Sequence, residues 1–465
     1  MKIQVKYFLL IIFIIPFLIS AQGYYNGENF GNRSILLSGN VTGSVDDLGL
    51  AYYNPARLAL IEDPVFTINA KAYQFSNLKF ENVFGRDSKL DDTKFDGVPS
   101  LIAGTFSVEK WEKHHFAYAF LSKERSRLNF NINREIDLDN MEEDFGDQDR
   151  LFGNFQIDNK RNDEWFGVSW GMKLKENLSI GVSTFVSIFN YSGLYDLRFA
   201  SSFEDSGVDA FNNRIKFGQN SYGIFWKLGI AWQLDKFDLG LNVDLPYLEV
   251  IKNGKFQYQR VVSGVDPEDE DFQFYDFDEL ETSRKTPLGI SFGFGWPFGK
   301  NKLHFKADWH AGISEYDRLV IPPTESGESG FAFNEELRSV INFGIGAEFY
   351  LNEKLNIYGS FSTDFSPVES AANLYDFIDN EEEDANFDAD FMHYGLGLDI
   401  KLKKLKLVVG TTYSTASGDF SDPIDFPLTD VDVPVNDDPS RITQNRWRII
   451  VGLEIPLFGY DVEFK

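Results

Sequence analysis

The chain has 465 residues, a formal net charge of −28 at pH 7 and 16% aromatic residues. A polymer this acidic is repelled by phosphate backbones, so nucleic acid is excluded as a partner. The absence of cysteine excludes disulfides, thiolate metal sites and thioether-linked lipid anchors. With 43% hydrophobic residues, the chain is also too apolar for an acidic disordered polymer.

At the start, Lys2 and Lys6 precede an apolar run from Phe8 to Ile19, followed by Ser20-Ala21-Gln22. A basic n-region, a short apolar stretch and a small residue before polar sequence are the pattern of a secretory signal. Residues 1–21 are therefore expected to be removed, with Ala21 last. The run is short of the roughly 20 residues that an uncleaved helical anchor needs. No later stretch qualifies as a spanning helix, so a membrane can be entered only through strands.

Residues 22–63 do not alternate. Their centre runs from Asp46-Asp47 to Asn54-Pro55-Ala56, where an Asn-Pro step starts a turn and Pro55 suits the opening of a short helix. Residues 64–465 read as the barrel, and from about residue 100 they repeat one arrangement, two alternating segments about a short turn followed by a long acidic segment. In the fifth segment Leu178, Ile180, Val182, Val186 and Ile188 fall on one face of a strand, with Ser179, Gly181, Ser183 and Ser187 on the other. Leu288, Ile290, Phe292, Phe294 and Trp296 oppose Gly289, Ser291, Gly293 and Gly295 in the same way. Very short, lysine-bearing turns at 110–113, 175–177, 234–236, 298–301, 352–354 and 403–404 define six hairpins, and single strands near 65–83 and 444–456 complete a count of about fourteen. Long acidic segments near 84–98, 131–163, 200–219, 263–286, 319–336, 367–390 and 418–443 read as loops at the other end. A soluble propeller or sandwich also strings short strands together. It does not explain the alternation of short turns with long loops, nor the Trp and Tyr near the ends of apolar faces (Trp232, Trp296, Trp309, Tyr350, Trp447). The expected fold is all-β: a transmembrane antiparallel barrel with long acidic extracellular loops.

On the stretch from Asp46-Asp47 to Asn54-Pro55-Ala56 and on the strand count, the sequence resembles the outer-membrane transport proteins of the FadL type, which take up long-chain fatty acids and other hydrophobic compounds. The resemblance implies that residues 22–63 form a plug, or hatch, inside a fourteen-stranded barrel, with Asn54, Pro55 and Ala56 in its turn. It implies passive uptake of a hydrophobic small molecule across an outer membrane rather than catalysis, with membrane lipid and lipopolysaccharide around the barrel. Long acidic loops fit a second role equally, as a docking or accessory barrel for a surface-protein partner, as in type IX secretion. A membrane hydrolase is a third reading.

Two stretches, Gly167–Gly171 and Gly289–Gly293, match the Gly-x-Ser-x-Gly nucleophile elbow, but both lie within alternating strands where no helix follows, so no catalytic residue is assigned. Lys302, His304, Lys306, Asp308 and His310 share one face that should not meet lipid. They read either as a polar network bracing the plug or as a lining that orients a carboxylate or conducts. Phe185 and Phe189 lie on the small-residue face of their strand and would make part of the interior apolar. No cofactor is expected, except that Asp269, Glu270 and Asp271, and Glu381, Glu382, Glu383 and Asp384, are dense enough to be candidates for Ca²⁺. They lack EF-hand spacing.

Overall fold

The computed structural model describes residues 25–61, 65–81, 89–108, 110, 111, 113–137, 148–203, 207–264, 270–323, 333–371, 374, 375, 382, 383, 389–420 and 440–456. The expected signal peptide lies outside the described residues. After an N-terminal segment come β1 (Val65–Glu81), β2 (Lys89–Phe106), β3 (His114–Asp137), β4 (Gln148–Lys175), β5 (Leu178–Phe203), β6 (Gly207–Leu234) and β7 (Phe237–Asp244). Then follow β8 (Leu248–Ser263), β9 (Asp271–Leu280), β10 (Gly289–Phe298), β11 (Asn301–His310), β12 (Ile313–Leu319), β13 (Phe333–Leu337), β14 (Val340–Asn352) and β15 (Leu355–Asp364). The chain ends with β16 (Val368–Ala371), β17 (Leu374–Tyr375), β18 (Glu382–Glu383), β19 (Phe391–Lys401), β20 (Lys406–Phe420) and β21 (Ser440–Pro456).

Antiparallel pairing runs β5-β4-β3-β2-β1-β21-β20-β19-β15-β14-β11-β10-β7-β6 and returns from β6 to β5, closing a barrel of fourteen strands. The strands in the ring are those of the six hairpins plus the two single strands expected from the sequence, and the tight turns fall where expected. At the level of the short strands the closed ring leaves no open sheet edge, the condition for crossing a bilayer with strands, whereas higher up β9 and the upper part of β3 are paired on one side only. Among the described residues no helix is long and apolar enough to cross a membrane.

The side chains on the wall point as the alternation requires. Leu228, Ile230, Phe292, Ile341, Phe343, Leu396, Trp447 and Ile449 are exposed on the outside, while Ser179, Ser183 and Ser187 are buried inside. Trp232 and Trp296, beside their turns, are about half exposed, at 46% and 48%, as an interfacial girdle needs.

The wall is uneven in height. A tilted spanning strand needs about 10 residues, and β10, β11 and β15 have 10 each. By contrast β3 has 24, β4 28, β5 26 and β6 28. Much of 131–163 and 200–219, expected as loop, is thus continuous strand, paired in register as far as Asp137↔Arg150 and Phe203↔Gly207. The stretch 263–286 likewise contains β9. β8 and β9 extend this tall side sideways: the lower part of β6 pairs with β7, and its upper part, from Ile224 to Ala210, pairs with β8. A small sheet, β12-β13-β16, lies at the same end.

The tall strands change sides as they rise. On β6 the outward positions read Trp232, Ile230, Leu228, Trp226, Ile224 and Tyr222, and then Asn220, Lys216, Arg214 and Asn212. The inward ones read Gly229, Lys227, Phe225, Gly223 and Ser221, and then Gln219, Phe217, Ile215, Asn213 and Phe211, so the upper inward face is mainly apolar. The neighbour β5 makes the same change at the same level, since Ile188 faces Tyr222 and Asn190 faces Asn220. A strand in lipid turns its apolar side out, and the same strand in water turns it in. The level of Ile188 and Tyr222 therefore marks the upper limit of the lipid-facing band.

Candidate functional site

Residues 25–61 fold as α1 (Asn32–Leu36), α2 (Leu50–Tyr53) and a 3₁₀ helix (Pro55–Leu60). Helices this short are marginal alone, so their order comes from what surrounds them. The cap of α1 is remote: its N-cap is Gly31, which offers no side chain, and Asp47 supplies one instead. The Asp47 carboxylate accepts from Arg33 N (2.7 Å), Ser34 N (2.9 Å), Ser34 Oγ (2.9 Å) and Gly49 N (2.9 Å), tying α1 to the start of α2. Gly31 has φ of 90°, and a β-carbon there would stand 2.5 Å from Asp47 Oδ1, so only glycine suits the position.

The segment lies within the ring. It bonds to β2 through Ser100 and Asn29, to β3 through Lys123 and Tyr25, to β5 through Ser183 and Ala51, and to β6 through Asn54 and Ile230. Further bonds reach β11, β14, β15 and β21, from Ser44 to His304, from Asn40 to Ile345 and Phe361, and from Arg448 to Gly27. α1 also packs on β1. Glycines on β4, β7, β10, β19 and β20 let its chain come close. A β-carbon on Gly293 would stand 2.1 Å from Gly43 N, and one on Gly240 would stand 2.1 Å from Thr42 O. The small face of the strands is therefore a seat for backbone as well as the wall of an interior.

Asn54, Pro55 and Ala56 sit at the centre of this seat. Asn54 Oδ1 accepts from Ala56 N at 3.2 Å and so caps the 3₁₀ helix, while its Nδ2 donates to Thr42 O (2.9 Å) and Ile230 O (3.0 Å). Pro55 occupies the first helical position and packs over Gly181 and Gly229. The structure brings the charged band together with the same segment. Lys302 Nζ donates to Asp238 at 2.8 Å. His304 Nδ1 lies 2.7 Å from Ser44 Oγ. Lys306 reaches Asp308 (2.6 Å) and Asn26 (3.0 Å), and His310 stacks on Tyr25 with centroids 3.8 Å apart.

A buried trio, Ser414, His393 and Asp364, was not singled out from the sequence. His393 Nδ1 lies 2.7 Å from Ser414 Oγ and its Nε2 lies 3.4 Å from Asp364 Oδ2. The Asp364 carboxylate also accepts from Tyr25 N and Asn26 N at 3.0 Å each, so it anchors the start of the inner segment. Ser169, from the first Gly-x-Ser-x-Gly match, lies 2.7 Å from Ser183 Oγ inside the wall. Of the Ca²⁺ candidates, Asp269, Glu381 and Asp384 lie outside the described residues. Glu270 is exposed, Asp271 faces Arg260 at 3.6 Å, and Glu382 and Glu383 form β18. Among the described residues no group of three or more carboxylates and histidines is placed to hold a metal ion.

Phe185 and Phe189 point inward and are buried. Phe185 joins Trp165, Phe225, Tyr247, Phe30 and Leu48 in an apolar cluster beside the inner segment. Phe189 lies higher, with Arg284 4.1 Å above its ring. Arg284, in the connection from β9 to β10, pairs with Asp163 at 2.6 Å and donates to Ser187 at 2.9 Å. The pair sits in the register of Asp163↔Phe189↔Ser221, at the top of the lipid band.

Above that level is a larger aromatic cluster. Phe155, Ile157, Tyr195, Leu197, Phe199, Ile215, Phe217, Phe256, Tyr258, Leu319, Phe333 and Ile442 bury one another between the tall wall, β8 and the β12–β13 hairpin. None of these was expected as a site residue, because they lie in or beside stretches read as acidic loop. The signal was present in the alternation of β4, β5 and β6, with its polarity reversed.

Together these features define a membrane-type barrel whose interior holds its own N-terminal segment and whose outer end carries a buried aromatic cluster. No protein-family model matches the sequence, and no curated protein matches it. Solved structures do. A FadL homologue from Pseudomonas aeruginosa superposes with a TM-score of 0.58 at 12% identity, over 93% of this chain and 100% of that one. The toluene transporter TodX of P. putida gives 0.57 at 10% identity, over 93% and 100%. The CymD monoaromatic hydrocarbon channel gives 0.53 at 10%, over 94% and 100%. The chain thus has the fold of the FadL-type outer-membrane channels.

Proposed function

We propose that the protein is an outer-membrane channel for passive uptake of hydrophobic small molecules. The observation that carries this reading is the vertical order of the interior. An aromatic cluster stands outside the lipid band, a second apolar cluster lies below it, and the N-terminal segment, acting as a plug, fills the ring beneath. A hydrophobic solute gains free energy on leaving water for the outer cluster, at about 25 cal/mol per Å² of apolar surface buried. It then descends past the Arg284–Asp163 pair and is released when the plug shifts on its glycine seat. The similar structures, a FadL homologue, a toluene transporter and a monoaromatic hydrocarbon channel, support the substrate class.

Uptake of toluene and of a long-chain fatty acid, compared between cells with and without the protein, tests this. The expected result is faster uptake of at least one compound in cells making the protein, reduced or leaky in the variant Asn54→Ala with Pro55→Ala while the barrel still assembles. Equal uptake with and without the protein overturns the reading.

A further inference from the structure

The outside of the barrel changes chemistry at the upper limit of the lipid-facing band, and it does so differently on two flanks. On β20, β21 and β1 the outward positions next above Tyr413, Trp447 and Phe75 are Thr415, Asn445 and Asn77, polar and uncharged. On the tall flank the change comes after Phe120, Phe166, Ile188 and Tyr222. Within the next five outward positions of each strand stand Arg125 and Arg127 on β3, Lys160 on β4, Arg198 on β5, and Arg214 and Lys216 on β6. The acids there are Glu164, Asp158 and Asp196. This face is thus net positive on a chain whose formal charge is −28.

The acids are all taken. Arg125 pairs with Glu164 at 2.6 Å and Arg127 with Asp158 at 2.8 Å, while Asp196 holds Arg198 at 2.5 Å and faces Arg214 at 3.8 Å. Lys160 and Lys216 are exposed and form no ion pair among the described residues. Lys160 also stands directly opposite Arg127 in the β3–β4 ladder, where like charges repel. Just below these cations Asn162, Asn190 and Asn220 follow one another in register across β4, β5 and β6, a row of amide donors and acceptors.

The position of this patch limits what can occupy it. It begins where lipid ends, and Phe166 and Val186, paired across β4 and β5, are half exposed at that edge. An occupant anchored there has apolar chains beside these two residues and an anionic head above them. From Asn220 to Lys216 the strand rises about 13 Å, at about 3.3 Å per residue, more than one phosphate covers. We propose that the outer face of β3–β6 binds a phosphorylated glycolipid of the outer leaflet. Its acyl chains lie along Phe166 and Val186, its sugar hydroxyls meet Asn162, Asn190 and Asn220, and its phosphates meet Arg127, Lys160 and Lys216. The uncharged flank of β20, β21 and β1 offers no such attraction, so the lipid is held on one side of the barrel.

The test uses the full chain in detergent micelles and native mass spectrometry to measure equilibrium binding of bisphosphorylated lipid A, of its dephosphorylated form and of phosphatidylglycerol. Each membrane-surface lysine contributes about fivefold to binding of an anionic lipid. Wild type should bind the bisphosphorylated form about tenfold or more tighter than either of the others, and Lys160→Gln with Lys216→Gln should remove most of that preference. Lys236→Gln with Lys401→Gln removes the same charge from exposed positions beside the short turns and should leave the preference intact. If the first double variant fails to assemble, as judged by its heat-modifiable band, each single variant carries the test at about fivefold. Equal binding of phosphorylated and dephosphorylated lipid A by wild type, an equal loss in both double variants, or phosphatidylglycerol bound as tightly overturns the proposal. So does displacement of lipid A by an equal concentration of inorganic pyrophosphate, which would mark a site for free anions rather than for a lipid.

Discussion

The interior of this barrel is built on opposite rules at two heights. Within the lipid band the inward face is mostly glycine, serine and charged groups, with Trp165, Phe185 and Phe225 near its top, and what fills it is the N-terminal segment, bonded and packed onto all sides of the ring. Above the band the same strands turn phenylalanine, tyrosine and isoleucine inward, and the filling is side chains. Lipid takes up apolar surface only on the outside of the wall, so the lower interior is free to be polar and to approach another chain closely. Water surrounds the upper wall, so there the hydrophobic effect drives aromatic rings inward. A sheet in register can therefore be a seat below and an apolar chamber above.

Substitutions that confuse the two rules should do the most harm. Gly293→Val puts a β-carbon 2.1 Å from Gly43 N, a clash of backbone that no rotamer relieves. Overpacking costs upward of about 3 kcal/mol here, so the inner segment should unseat. The check is a rise in single-channel conductance or loss of the heat-modifiable band. Next in size is Arg284→Met, which strands the buried Asp163 carboxylate at a cost of about 3–5 kcal/mol. Arg318→Met removes a buried cation that forms no ion pair among the described residues and should leave unfolding unchanged or delayed, and thermal denaturation of the two variants side by side separates them. Phe217→Ala, in the upper cluster, should cost about 3 kcal/mol locally and reduce uptake of a hydrophobic solute while conductance stays at the wild-type level. Asn54→Ala removes three hydrogen bonds from the lower interior, each worth about 1 kcal/mol. Its expected signature is the reverse, more frequent channel openings with the outer cluster intact. Arg127→Gln breaks an exposed pair with Asp158 and should change neither readout, since surface ion pairs contribute little.

Much of this was written locally. The period of two from Leu178 to Ile188, the lysine-bearing turns and the single strands at each end were enough to count the ring, because each strand's two faces meet different solvents and the turns are too short to hide a crossover. The reversal on β6 between Tyr222 and Asn220 was legible too, but the expectation of loops above the membrane concealed it. The stretches 131–163 and 200–219 are rich in charge, which resembles loop composition unless Phe155 and Ile157, or Ile215 and Phe217, are read as one face of a strand.

What lay beyond the sequence is whatever depends on strands far apart in the chain. Asp47 caps a helix that starts fifteen residues earlier in a segment without periodicity. Gly293 is needed because Gly43 passes it. Arg284 finds Asp163 121 positions away, and the Arg318 guanidinium lies against the rings of Tyr191, Phe217 and Phe333. The sequence alone determined that this chain folds as a membrane barrel of about fourteen strands, because amphipathic alternation and turn length are local properties. Only the tertiary structure decided which inward residues meet backbone, which meet each other and which charges pair, because those contacts exist only once the ring has closed around the segment that precedes it.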